Sequence, residues 1–254
     1  MKKVHVLTHK EELDPTRLSD KTVVVLDVLF ATSTMIAALQ HGARDVIPAL
    51  DETAARTEAN QCSPDSYVLA GEKHRERIPD FAHYAPLALI EHGIAGKRVI
   101  YTTTNGTIAL LQAAEAPRVY AAALLNATAI TKHVRVNHVD GTVLILCAGS
   151  RGAMTLEDFY GAGLLVERFL TDSQTSWAPS DAAQAALRVY QKNDAYECLR
   201  RSRIGRIVEK DGLGEEVRFA AHVDVFTVVP VLTDGRLLRA DQVDPNTNES
   251  GQGS

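Results

Sequence analysis

The stretch at 23–39, VVVLDVLFATSTMIAAL, limits the fold more than any other part of the chain. Four aliphatic residues follow one another without a polar break, the pattern of a strand covered on both faces. Asp27 comes next. Behind it lie the hydroxyls of Thr32, Ser33 and Thr34 and an apolar run that can continue as helix, with Ser33 or Thr34 as its N-cap. Asp27 is therefore expected at the carboxyl end of a strand, facing a helix N-terminus. Ligands of open α/β sheets bind in that crevice, because free N–H groups and the helix dipole favour anions and a strand-end carboxylate can hold a metal.

The same design recurs at 98–111 and 142–166. The first copy has Thr103, Thr104, Asn105 and Gly106 between strand and helix. The second has Gly149, Ser150, Arg151 and Gly152, then a helix whose first turn carries Glu157 and Asp158. A further strand, 67–70, runs out into Gly71, Glu72 and Lys73. Glycines let a backbone approach its ligand, and hydroxyls and exposed N–H groups are the donors that a phosphate or sulfonate needs. These loops are expected to converge on one site for a phosphate-like group.

Strands and helices alternate from residue 22 to about 170, which predicts an α/β fold with a mostly parallel sheet and helices on its faces. Residues 1–170 read as the core. Residues 171–245 read as helices (180–192 and 194–202) and a hairpin around Asp234 and Gly235, completing the same fold or forming a second lobe. The Gly/Ser/Asn-rich tail, 246–254, reads as disordered. A net charge of −5 leaves no electrostatic footprint for nucleic acid or an anionic membrane. Cys62, Cys147 and Cys198 lack paired spacing, and no segment reaches membrane-spanning length, so a cytoplasmic protein is expected.

Three blocks taken together resemble the 2-phosphosulfolactate phosphatase (ComB-like) family: D-V-L-x-A-T-S-T from Asp27, T-T-T-N-G-T at 102–107, and C-A-G-x-x-G…E-D-x-x-x-A-G from Cys147 to Gly163. Their order and spacing match, and weaker similarity covers about 20–232. The resemblance implies a three-layer α/β/α fold and Mg²⁺-dependent hydrolysis of (2R)-2-phospho-3-sulfolactate to 3-sulfolactate and phosphate, a reaction of coenzyme M biosynthesis and sulfonate metabolism. It also implies a small phosphorylated or sulfonated substrate and a homo-oligomer. Three departures stand out. Phe30 replaces the family's usual Arg, Lys73 replaces the Arg of G-E-R, and 80–86 lacks the usual Gly, Asn and Ser.

Asp27 is read as a metal ligand or catalytic acid, against the plainer role of a strand-end cap. Glu157 and Asp158, the other candidate catalytic acids and metal ligands, point about 100° apart on a helix and need not share one metal; at least one is expected to hold Mg²⁺, directly or through water, against the plainer role of offsetting the helix dipole. Glu72 completes the candidate metal set. Thr32, Ser33, Thr34, Thr103, Thr104, Asn105, Gly106, Ser150, Arg151, Gly152 and Lys73 are the candidate phosphate ligands. Arg200 to Arg206 read as a solvated helix face, with anion binding as the alternative. Phe30 and the altered 80–86 loop motivate a second reading, a non-catalytic paralogue that binds a phosphorylated or sulfonated metabolite.

Overall fold

The structure, a computed structural model, describes residues 2–137, 141–171 and 176–243, so the tail at 246–254 lies outside the described residues. In chain order the elements are β1 (Lys2–Leu7), β2 (Lys21–Leu26), α1 (Ala31–Gln40), β3 (Asp45–Ala49), α2 (Glu52–Ala59), β4 (Tyr67–Lys73), β5 (Glu76–Arg77), α3 (Pro86–Glu91), β6 (Arg98–Thr102) and α4 (Gly106–Ala113). They continue with β7 (Arg118–Ala122), α5 (Ala127–Asn137), β8 (Thr142–Cys147), α6 (Leu156–Leu170), β9 (Trp177–Pro179), α7 (Asp181–Lys192), α8 (Ala195–Arg201), α9 (Arg203–Lys210), α10 (Gly214–Ala220), β10 (Pro230–Thr233), β11 (Arg236–Arg239) and α11 (Ala240–Val243).

Among the described residues, eleven strands form a sheet in the order β5-β4-β6-β3-β11-β10-β7-β2-β8-β1-β9. Two parallel blocks make up most of it: β4, β6 and β3 on one side, and β7, β2, β8, β1 and β9 on the other. The hairpin of β10 and β11 stands between them, antiparallel to β7 on one edge and to β3 on the other. Its turn residues Asp234 and Gly235 have φ of 49° and 73°, the pair of positive values that a two-residue type I′ hairpin requires. The last strands in sequence therefore lie at the middle of the sheet, between β3 and β7.

Burial follows the apolar runs. Val23 to Leu26 of β2 and all five residues of β3 are buried, which an α/β sheet achieves only with helices on both faces. The resulting architecture is a three-layer α/β/α sandwich. Polar caps start several helices: the side chains of Asp51, Ser180, Asp194 and Ser202 accept from Ala54, Ala183, Glu197 and Gly205 N–H.

Several local expectations need correction. The first helix begins at Ala31 with Phe30 at the N-cap, so Thr32, Ser33 and Thr34 occupy its first turn and neither Ser33 nor Thr34 caps it. The helix expected at 194–202 does not simply end. Ser202 is both the C-cap of α8 and the N-cap of α9, and the chain turns there into two further helices, α9 and α10. Trp177 is buried in edge strand β9, its ring 4.7 Å from that of Phe169. Asn126 accepts from Ala123 N–H and donates to the Val228 carbonyl, so it joins β7 to the chain before the hairpin.

One buried ion pair joins neighbouring parallel strands. Asp45 of β3 receives Arg98 of β6 through Nε and Nη2, both at 2.8 Å, and this fork holds its carboxyl below the usual carboxylate range. An acid whose folded-state pKa is lowered adds stability above its ordinary pKa, and loses that stability as pH falls through the lowered value. Asp45→Ala is expected to lower unfolding stability by about 2 kcal/mol at neutral pH. The gap between variant and parent in urea titrations should close as pH drops below 4.

Candidate active site

The ends of β2, β4, β6 and β8 supply one cavity of about 790 Å³. Asp27, Glu72, Thr103, Thr104, Asn105, Ser150, Arg151, Glu157 and Asp158 all line it. Strands β2 and β6 are separated by four others in the sheet, yet the starts of α1 and α4 touch. A Cβ on Gly106 would lie 2.4 Å from Ala31 Cβ and 2.6 Å from Asp27 Oδ2. Only glycine allows that approach.

The hydroxyl cluster after Asp27 has a job inside the protein. Thr32 Oγ1 accepts from Asp27 N–H (2.9 Å) and donates to the Asp27 carbonyl (3.0 Å). Ser33 Oγ donates to the Val28 carbonyl, and Thr34 Oγ1 to the Tyr84 carbonyl. All three are buried and none lines the cavity, so they fix the backbone that presents Asp27. Gly152 lies outside the cavity lining too, and Lys73 lines a smaller neighbouring cleft of about 280 Å³ that shares Glu72, Thr103 and Thr104.

The four acids differ in how far their oxygens are engaged. Asp158 accepts three bonds: Oδ1 from Val28 N–H (2.8 Å), and Oδ2 from Gly149 N–H (3.2 Å) and Thr155 Oγ1 (2.7 Å). Glu72 accepts from Thr104 N–H (2.6 Å), Thr104 Oγ1 (3.0 Å) and Arg75 N–H. Glu157 is buried, and its Oε2 has no hydrogen-bond partner. Asp27 is half-buried, and among the described residues the Ala31 N–H at the start of α1 is the one donor that steadies its carboxylate.

Burial and mutual repulsion raise the pKa values of this group. Asp27 is pushed well above the carboxylate range by desolvation, then by Asp158, Glu72 and Glu157. Glu157 rises to about 8 through desolvation and Asp158. Asp158 rises less, to about 6, because desolvation is opposed by the donors from Val28, Thr155 and Gly149.

A cation is the natural partner for such a site. Among the described residues no three His, Cys, Asp or Glu side chains are placed as ligands of one metal. Mg²⁺ asks for less, since it commonly takes one or two carboxylates and completes its shell with water and phosphate oxygens. Asp27 and the orphaned Oε2 of Glu157 are the hard oxygens with spare lone pairs, and they fit that demand. Asp158 and Glu72 are already committed to fixing loops.

Lys10, His74, Ile204, Ile207 and Val208 line the cavity although nothing in the sequence marked them. Lys10, buried in the turn after β1, donates to Asn105 Oδ1 (2.9 Å) and so steadies the Thr-rich loop. His74 and Arg75 form the tip between β4 and β5, and Phe30, Tyr84, Ile204, Ile207 and Val208 supply apolar wall. Arg203 lines the cavity as well, while Arg200 and Arg201 pair with Glu197 on the outer surface.

A family model of 2-phosphosulpholactate phosphatase matches residues 7–235. The chain belongs to the 2-phosphosulfolactate phosphatase family. Similar relatives carry the name "probable 2-phosphosulfolactate phosphatase". One from Caldanaerobacter subterraneus is 33% identical over 89% of this chain and 92% of its own length. Another from Symbiobacterium thermophilum is 33% identical over 87% and 95%, and one from Deinococcus radiodurans 35% identical over 84% and 88%. Among the described residues no helix is long and apolar enough to cross a membrane.

The orphaned oxygen of Glu157 gives a stability prediction. An acid whose folded-state pKa is raised lets the folded protein hold a proton that the unfolded chain has released. Stability then falls as pH rises from the ordinary value of 4.5 toward about 8. Without divalent cations, the melting temperature should fall across that window, and Glu157→Gln should flatten the fall and melt higher at pH 8.

Proposed function

We propose that this protein hydrolyses (2R)-2-phospho-3-sulfolactate to 3-sulfolactate and phosphate in the cytoplasm, with Mg²⁺ at Asp27 and Glu157. Family membership makes it a phosphoric monoester hydrolase. The observation that carries the metal assignment is the buried Glu157 oxygen without a partner, in the same cavity as Asp27. When bound, Mg²⁺ would neutralise phosphoryl charge and orient water.

The chain's own groups account for the rest. Arg151 lies in the glycine loop with φ of +57°, and its guanidinium makes no hydrogen bond or ion pair among the described residues. Its fork is suited to two phosphoryl oxygens. Asn105 and Ser150 line the cavity as further polar contacts for the phosphoryl group. Lys10, Glu72 and Asp158 hold these loops in position before substrate arrives, so that catalysis is positional and electrostatic.

Phe30 favours the second reading, because it lines the cavity as an apolar ring with Tyr84 at 6.4 Å. On that reading the protein binds a phosphorylated or sulfonated metabolite without turning it over. Phosphate release from 2-phosphosulfolactate separates the two. The phosphatase reading expects Mg²⁺-dependent release that falls at least about a hundredfold in Asp27→Asn, in line with the loss of a principal electrostatic group. Tight binding with no release from this or other small phosphoesters supports the paralogue.

A further inference from the structure

The start of α9 lies beside Glu157 and forms a part of the cavity wall that has no assigned contact with substrate. Arg203 lines the cavity there, beside Ile204, Ile207 and Val208. Among the described residues its guanidinium makes no hydrogen bond or salt bridge, and its charge acts on the Glu157 carboxyl. Other cavity cations are committed: Lys10 to Asn105 and Glu11, and Arg75 to Asp211 at 3.3 Å. Arg151 is also uncommitted, but it belongs to the glycine loop at the phosphoryl end.

Arg203 stands on a fixed base. Ser202 Oγ accepts from Gly205 N–H at 2.8 Å, and a Cβ on Gly205 would lie 1.9 Å from the Leu199 carbonyl oxygen, so α9 turns against α8 at backbone contact. Ile204 and Val208 anchor the helix in the core. A cation in the first turn faces the positive end of its own helix dipole, an unfavourable place that an anion in the cavity offsets. The substrate proposed above carries three anionic groups on three carbons. Its phosphoryl group is assigned to the end with Asp27 and Arg151, which leaves the carboxylate and the sulfonate; only the sulfonate is carried on a methylene, which suits the apolar wall of Ile204, Ile207 and Val208 beside Arg203.

We propose that Arg203 is a specificity-determining residue, binding the sulfonate of the substrate through its guanidinium while the apolar side chains of α9 cover the adjoining methylene. This deepens the phosphatase reading and rests on it. An exposed arginine can be replaced without loss of a core contact, so Arg203→Gln and Arg203→Lys should fold, which circular dichroism melting checks.

The test compares 2-phosphosulfolactate with 2-phospholactate, which has a methyl group where the former has a sulfonatomethyl group. In Arg203→Gln, the ratio of kcat/KM for the sulfonated over the unsulfonated substrate should fall about tenfold or more, the scale of one charge-assisted contact. The loss should lie in KM, and Arg203→Lys should recover part of it. An unchanged ratio, or a loss confined to kcat, overturns the proposal. Should the parent turn over neither substrate, the phosphatase reading has failed by itself. Calorimetry with 3-sulfolactate as probe then decides: weaker binding by Arg203→Gln than by the parent supports the sulfonate role, and equal or no binding overturns it.

Discussion

Asp158 is the interaction on which the site depends. One buried carboxylate accepts from Val28, just after β2, from Gly149, just after β8, and from Thr155, just before its own helix. The connection from β8 to α6 is thereby fixed to the chain after β2, 130 residues away, by charge-assisted bonds in a dry environment, where such bonds are strong and their loss leaves N–H groups unpaired. Asp27 and Glu157 take their places from that arrangement. Gly106 completes it from the other block of the sheet by letting α4 close on Asp27.

This packing brings acids together that repel one another. A protein tolerates such a cluster only where burial is offset by donors, by protonation or by a cation. Donors serve Asp158 and Glu72, whereas Glu157 keeps an oxygen unpaired and its carboxyl is raised to about 8. The unevenness is informative. The well-bonded acids set geometry, and the under-bonded ones are left with the capacity to hold something else.

Much of this was legible from local pattern. The aliphatic run before Asp27, the glycine loop before Glu157 and Asp158, and the Asp234-Gly235 turn each act through neighbours in sequence, so periodicity and turn chemistry reveal them. The direction of the Thr32, Ser33 and Thr34 hydroxyls was not legible, because a hydroxyl in a first helical turn can face ligand or backbone, and only the packing around Tyr84 and Val28 decides. The same holds for Arg203. Its arginine-rich surroundings look like a wet surface, and only the turn at Ser202 places one arginine in the cavity wall while its neighbours pair with Glu197. Insertion of the terminal hairpin between two parallel blocks is a long-range pairing, and nothing local to β10 or β11 announces it.

The most direct test of the account is to locate the cation. Crystals grown with Mn²⁺ in place of Mg²⁺ give an anomalous signal at the metal alone. We expect one peak at bonding distance, about 2.0–2.2 Å for a hard divalent ion of this kind, from carboxylate oxygens of both Asp27 and Glu157. A peak that touches neither residue, or no peak at saturating Mn²⁺, would contradict it.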